Sequence, residues 1–365
     1  MKRRIIGDSI CVLRVKVETQ IGYDKLVAEE IERLWKNSAA GEFDAGYPHS
    51  LVGKILETIG HISNVEISGP RSAVAIPLRV IKTFAPECDV AFSSKIGSGG
   101  CGLEIRKFLK EWGILDATQA AENADSHVEF KCVGGDGNLT EFVAKKSPSK
   151  AFRHNFDLGE IEAKAGAEFN AMLFNRPRAG FLSALETLKK RPNSIISAIV
   201  HDYSKYQRAG DYMPYVKAAD FAFITAEDSD KSVTRLMAKE LGAASYEELG
   251  EAVAELGGKR RMFLLPHKKG AQGAEKCVWF FQTGIAPVKV EIPDKIRLKT
   301  KTAWLNGSCV ALACKNWKGN APFELEGCLP ATRADLEIFA NWAVQMAYFG
   351  YPPPDFKPTN SLVIK

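Results

Sequence analysis

The sequence predicts an α/β fold built on a mostly parallel sheet, with a small β appendage. Three observations carry this. Apolar runs of strand length alternate with helical periodicity through most of the chain. The segments between them are long enough for the helical crossovers that parallel strands require. Gly134-Gly135-Asp136-Gly137 separates two strand-like runs, Val128 to Val133 and Leu139 to Ala144, in the manner of a hairpin turn. The 365 residues suffice for a sizeable core, and no repeat or linker divides them, so one domain over 1–365 is expected.

The elements follow in order. Ile5 to Val17 reads as a strand punctuated by Gly7. Tyr23 to Lys36 places Leu26, Ile31 and Leu34 among Glu and Lys, an amphipathic helix. Gly41, Gly46 and Pro48 mark a loop before a second helix, Leu51 to Gly60. Val65 to Ser68 is a short strand, followed by helix 72–84, strand 89–95, the glycine cluster at 97–102 and helix 103–112. After the hairpin come helix 181–190, strand 195–201, helix 211–217, strand 220–225 and helix 230–241. Ser245 with Glu248 forms a capping box that opens helix 246–256. Strand 262–265, a hairpin region at 275–292 and helices near 307–315 and 333–347 complete the chain.

Lys plus Arg number 49 against 44 Asp plus Glu, a net charge of +5, too thin for a dedicated nucleic-acid binder of this size. Charged residues at 25% and hydrophobic residues at 45% exclude disordered, collagen-like and coiled-coil classes. Asp8 interrupts the apolar start before any signal-peptide core could form, and the stretch Phe339 to Tyr351 is too short to cross a bilayer. The eight cysteines form no Cys-x-x-Cys pair and read as small buried hydrophobes in a reducing cytosol rather than as disulfides. A cytoplasmic protein with no membrane partner is expected.

Gly97-Ser98-Gly99-Gly100-Cys101-Gly102 matches Gly-x-Gly-x-x-Gly between a strand and a helix. The acidic residue that a dinucleotide site needs after the next strand is missing, so a tight strand-to-helix turn is the better reading. The surroundings add to this. Ser68-Gly69-Pro70-Arg71-Ser72-Ala73-Val74-Ala75 precedes a helix, then Lys95-Ile96-Gly97 and the cluster, then a helix ending at Gly113-Ile114. This order resembles the ribokinase/PfkB family of sugar and nucleoside kinases, whose pattern is Gly-Gly-x-x-x-Asn-x-Ala, a helix, Lys-Val-Gly-x-Asp-x-x-Gly and a helix ending in Gly-Val. Residues 127–143 are similar to that family's lid hairpin, Ile199 to Tyr203 to its central strand, and Phe339-Ala340-Asn341 to the helix covering the adenine.

The resemblance implies a ribokinase-like three-layer α/β/α sandwich with lid elements near 10–20 and 127–144. A helical insertion near 23–60 is similar to the adenosine-kinase branch. It implies ATP and magnesium, with substrate held near Asp8, Gly69, Arg71 and Lys95. On the nucleotide side it points to Thr225, Asp228, Lys268, Gly307 and Asn341, with Asp228 for the metal.

The catalytic motif departs from that pattern. The family uses Asp-Thr-x-Gly-Ala-Gly-Asp, whose last Asp takes the hydroxyl proton and whose bare N–H groups meet the transferring phosphoryl. Here the stretch is Lys301-Thr302-Ala303-Trp304-Leu305-Asn306-Gly307. The base falls on Gly307, or on Asn306 with a one-residue slip, and neither accepts a proton at neutral pH. Val12 stands for the substrate-binding Asp, Ala73 for the Asn, Thr225-Ala226-Glu227-Asp228 for Asn-x-x-Glu, and Pro266-His267-Lys268 for Thr-x-Gly.

The remaining candidates each carry a bland alternative. Asp202 is a relocated base or a turn residue. His201 and His267 are catalytic or merely exposed. Glu227 and Asp228 hold magnesium or complement a helix dipole. Lys295, Arg297, Lys299 and Lys301 fall on one face of a strand, with Lys259-Arg260-Arg261 and Lys268-Lys269 nearby. That stripe is a solvated face or an anion surface for a phosphate-bearing ligand or an acidic partner. Trp304 would occupy phosphate space in a full nucleotide pose.

Three readings of function follow: a kinase-like protein that has lost phosphoryl transfer, an active phosphotransferase on a sugar or nucleoside with a rebuilt site, or a cofactor-free binding or assembly module using a basic surface. A small-molecule ligand, a protein partner or a second copy in a homodimer are the partners each would take, ahead of nucleic acid.

Overall fold

The computed structural model describes residues 3–20, 25–37, 48–135, 139–144, 149–175, 177–200, 209–224, 233–256, 262–267, 277–291, 302–314 and 330–349. The chain forms two compact units that interleave in sequence: Met1–Asp8, Ile76–Ala91 and Asn155–Lys365 make the first, Ser9–Ala75 and Phe92–His154 the second. Because each unit collects separate stretches, no linker composition marks the division.

In chain order the elements begin β1 (Arg4–Asp8), β2 (Val12–Thr19), α1 (Lys25–Asn37), α2 (His49–Thr58), β3 (Ile62–Arg71), α3 (Ala75–Phe84), β4 (Asp89–Ser93), β5 (Lys95–Gly97) and α4 (Gly100–Glu111). Then follow β6 (Leu115–Asp116), β7 (Gln119–Ala121), β8 (Val128–Val133), β9 (Leu139–Ala144), α5 (Leu158–Ala165), β10 (Ala171–Phe174), α6 (Phe181–Lys189), β11 (Ile195–Val200) and α7 (Ala209–Ala218). The last are β12 (Phe221–Ile224), α8 (Val233–Leu241), α9 (Tyr246–Glu255), β13 (Met262–His267), β14 (Cys277–Gln282), β15 (Ile285–Glu291), α10 (Thr302–Cys314) and α11 (Arg333–Phe349).

The first unit is built on the sheet β15-β14-β13-β12-β11-β10-β1-β4. Strands β1 and β10 to β13 pair in parallel, and β14 and β15 add an antiparallel hairpin at one edge. Every residue of β10 and β11 is buried, as expected for parallel strands covered on both faces. Val200, Tyr212, Met213, Val216, Met237, Leu249, Val253 and Phe281 form one continuous core under α7, α8 and α9. Helix α10 is apolar around most of its circumference and is buried against β11 and α11.

The second unit holds the four-stranded sheet β3-β2-β8-β9. Its β2 alternates buried and half-buried residues, so Leu13, Val15 and Val17 share one packed face. Trp35 of α1 meets Phe130 of β8 edge-on at 6.0 Å. The hairpin expected at 127–144 is β8 and β9, paired antiparallel, and the expected helices within 23–60 are α1 and α2.

Some boundaries differ from the sequence reading. The single strand expected over Ile5 to Val17 is two, β1 and β2, because the chain leaves one sheet after Asp8 and enters the other at Val12. Strand 89–95 divides likewise into β4 and β5. Helix α5 and the four-residue β10 were not anticipated, the latter too short to show a period. The Ser245 half of the capping box forms, its Oγ accepting from Glu248 N (3.1 Å), while the Glu248 carboxylate accepts from Ala244 N (2.6 Å), one residue before the cap. Among the described residues no helix is long and apolar enough to cross a membrane, and all seven described cysteines are buried free thiols.

Candidate functional site

Strand order directs attention to the ends of β1 and β10. From β1 the chain places β4 on one side, then returns to lay β10 to β13 on the other. In open α/β sheets ligands bind outside the carboxyl ends of the strands where the order reverses in this way. Asp8 ends β1, fully buried and in register with Phe174. Arg178, beyond β10, sets its Nε 2.7 Å from Asp8 Oδ1, so the buried carboxylate is compensated by a guanidinium that is itself only 12% exposed. Asn175 follows β10 directly, and its buried Oδ1 has no hydrogen-bond partner among the described residues.

Helix α10 carries the two positions where a catalytic carboxylate was sought. Asn306 is fully buried, its Nδ2 donating to Ser197 Oγ (3.1 Å) and its Oδ1 accepting from the same hydroxyl (3.4 Å). The amide is thus committed to β11. Gly307 faces α3: a Cβ there would lie 2.8 Å from Pro77 Cα, Pro77 O and Val80 Cβ. The helices approach so closely that only glycine fits. Neither residue accepts a proton at neutral pH, and at Gly307 the backbone of α3 leaves no room for a side chain that would. Leu305 is buried and Trp304 partly so. Asn341 is buried in α11, where its Oδ1 accepts from Gln345 Nε2 (3.0 Å).

In the second unit, Gly69 has φ +96°, a backbone state open to glycine, and lies under the rings of Phe108 and Trp112. Arg71 pairs with Glu129, whose carboxylate also takes Arg14 Nε at 2.7 Å. Glu129 is buried, so one carboxylate on β8 orders two guanidinium groups from β2 and β3. Lys95 Nζ donates to the Arg153 carbonyl at 3.5 Å.

The glycine cluster is a packing device. A Cβ on Gly102 would meet Gly97 O at 1.9 Å, and one on Gly97 would meet Ser126 N at 2.5 Å. Gly99 is the cap of α4 and supplies no side chain. Asp125 replaces it from a distance, its carboxylate accepting from Gly102 N (3.2 Å), Cys101 N (3.4 Å) and Ser126 N (2.8 Å). The helix end that a nucleotide phosphate would occupy is filled by a carboxylate of the chain. Burial raises the pKa of Asp125, against the hydrogen bonds that lower it.

The structure therefore places Asp8 in the first unit and Gly69, Arg71 and Lys95 in the second, and buries Asn306, Gly307 and Asn341 in helices. Thr225, Asp228, Lys268, Asp202, His201, Glu227 and the stripe Lys295, Arg297, Lys299 and Lys301 lie outside the described residues, as do Lys259, Arg260, Arg261 and Lys269. His267 ends β13. Among the described residues no group of three His, Cys, Asp or Glu side chains could hold a metal ion. Sequence reasoning missed Arg178, Asn175, Asp125 and the Arg14–Glu129 pair. Arg178 had a signal available, a cation four residues past an apolar run.

No protein-family profile matches the chain, and no curated protein does. Solved structures do. Adenosine kinase from Sinorhizobium meliloti superposes with a TM-score of 0.59 over 99% of this chain and 98% of that one, at 10% identity. The chain has the ribokinase-like fold. Ribokinase from Thermotoga maritima gives a TM-score of 0.54 over 96% of each chain at 13% identity. Fructokinase from Xylella fastidiosa, solved with bound ATP, gives 0.59 over 96% of this chain and 93% of its own at 10% identity. The ribokinase-like fold thus spans nearly the whole sequence.

Proposed function

We propose that this protein is a kinase-fold protein that has lost phosphoryl transfer and retains the shell as a small-molecule binding module in the cytosol. One observation carries the reading. By the sequence resemblance the proton acceptor's position falls on Gly307, or on Asn306 with a one-residue slip, and Gly307 is packed against Pro77 and Val80 so tightly that no side chain fits. The neighbouring Asn306 is buried and spent on Ser197. Without a group to take the hydroxyl proton, transfer from ATP loses about 10²–10⁴-fold in rate.

What supports binding is the charged pair Asp8–Arg178 beside Asn175 at the carboxyl edge of the sheet, and the ordered Arg14 and Arg71 in the second unit. The fold neighbours are sugar and nucleoside kinases, so a sugar- or nucleoside-like ligand is the class to try first, with or without ATP.

The test is a survey of sugars and nucleosides with Mg-ATP, measuring phosphorylated product and, separately, binding by calorimetry. Binding without product is expected. Turnover near 1 per second on any of them would overturn the proposal and return the role of base to a residue such as Asp202.

A further inference from the structure

The seven described cysteines do not share one environment. Burial pushes Cys132 up to about 12 and raises Cys11 and Cys309 well above the ordinary thiol range. Cys88 goes the other way. Its thiol is hydrogen-bonded to that of Cys314, and this contact, with the cations Arg3 and Lys82, lowers its pKa against burial and the neighbouring Glu87. Lys82 is held there by geometry, its Nζ donating to the carbonyls of Cys88 (2.9 Å) and Pro86 (2.8 Å).

The contact between the two cysteines is fixed at more than one point. Cys314 is the last residue of α10, seven residues after Gly307. Seven residues are close to two helical turns, so both lie on the same face of α10, about 10 Å apart. Gly307 meets Pro77 and Val80 of α3. Cys88 stands in the turn that follows α3, its N–H bonded to Ala85 O (2.9 Å) and the next N–H to Arg3 O (2.9 Å). Helix α10 therefore meets α3 at Gly307, and its last residue meets the thiol of the turn that follows α3.

We propose that Cys88 and Cys314 are a redox modification site, a dithiol that closes to a disulfide when a peroxide reaches it. The Cys88 sulfur attacks one peroxide oxygen, the O–O bond breaks, and Cys88 sulfenic acid and water form. The Cys314 sulfur then attacks the Cys88 sulfur. The S–S bond forms, the S–O bond breaks, and the hydroxyl leaves as a second water with the Cys314 proton. The sulfur pair gives up two electrons and the peroxide takes them. The product staples the end of α10, the helix that carries Asn306 and Gly307, to the α3–β4 turn. In a reducing compartment the pair rests as thiols, and a small-molecule dithiol reverses the bond.

The experiment uses the full chain, fully reduced, then treated with hydrogen peroxide and quenched. Thiols are counted in denaturant, peptides are mapped without reductant, and thermal unfolding is recorded. The expected result is loss of two of the eight thiols, a Cys88–Cys314 linked peptide, and a rise in Tm of about 5–10 °C that dithiothreitol reverses. Cys314→Ala and Cys88→Ser should each abolish the linked peptide and the Tm rise, while Cys309→Ala, one turn and a half earlier on α10, should keep both. The proposal fails if peroxide leaves all eight thiols, if Cys88 is driven to sulfinic acid without cross-linking, or if the linked peptide persists in Cys314→Ala through another cysteine.

Discussion

Gly307 lies against Pro77: a Cβ at 307 would stand 2.8 Å from both the Cα and the carbonyl oxygen of Pro77. Backbone cannot yield as a side-chain end can, so this contact sets how closely α10 and α3 approach. Placing a carboxylate there by Gly307→Asp should therefore not yield phosphoryl transfer. The expected outcome is a loss of about 3 kcal/mol or more in stability, from overpacking and an unpaired buried charge, with no gain in product from Mg-ATP. Gly307→Ala separates the two causes and should still cost about 1–3 kcal/mol, despite alanine's higher helix propensity. Urea unfolding measures both. A stable Gly307→Asp chain with turnover would show that α10 moves away from α3.

Asn306 and Ser197 form a buried side-chain pair between α10 and β11. Removing one partner strands the other. Asn306→Ala and Ser197→Ala should each cost about 1–3 kcal/mol, and the double variant should cost less than their sum. Strict additivity in this cycle would mean that the pair contributes nothing as a unit.

Asp8 and Arg178 form a buried ion pair in which the carboxylate has no water to fall back on. Arg178→Ala should destabilise by about 3–5 kcal/mol, and Asp8→Asn in the Arg178→Ala background should recover part of that loss, because the uncompensated charge is gone. If Arg178→Ala unfolds at the same urea concentration as the native chain, the pair is not formed in solution.

Asp125 has a raised pKa, with burial as the largest cause. A carboxyl group that binds its proton more tightly when folded stabilises the fold at pH values below the ordinary aspartate value of 3.8, and that contribution is lost as pH rises through the raised value. The native chain should thus lose stability relative to Asp125→Asn as pH is raised above about 4, and Asp125→Ala should cost about 1–2 kcal/mol for the lost α4 cap. Paired unfolding curves across the acid range measure the slope. The opposite slope would mean that the hydrogen bonds from Cys101, Gly102 and Ser126 outweigh burial.

Much of the fold was legible because its signals are local. The alternation of β2, the turn glycines between β8 and β9, and Ser245 with Glu248 all act within a few residues of one another. That 306–307 are Asn and Gly rather than a carboxylate is likewise a matter of residue identity. The four-residue β10 and its neighbour Arg178 were not legible, since so short a strand has no period and its burial depends on the strands beside it.

The sequence by itself determined the α/β order, the hairpin, the capping box and the residue types at 306–307, because helix period, turn chemistry and side-chain type depend on near neighbours. Only the tertiary structure decided that Asp125 caps α4 in place of Gly99, that Arg178 compensates Asp8, that Glu129 orders Arg14 and Arg71, and that Pro77 closes the space at Gly307. Each of these joins residues far apart in the chain. Their distances are set by how helices and strands dock, and close packing leaves a few tenths of an ångström between a site that admits a side chain and one that does not.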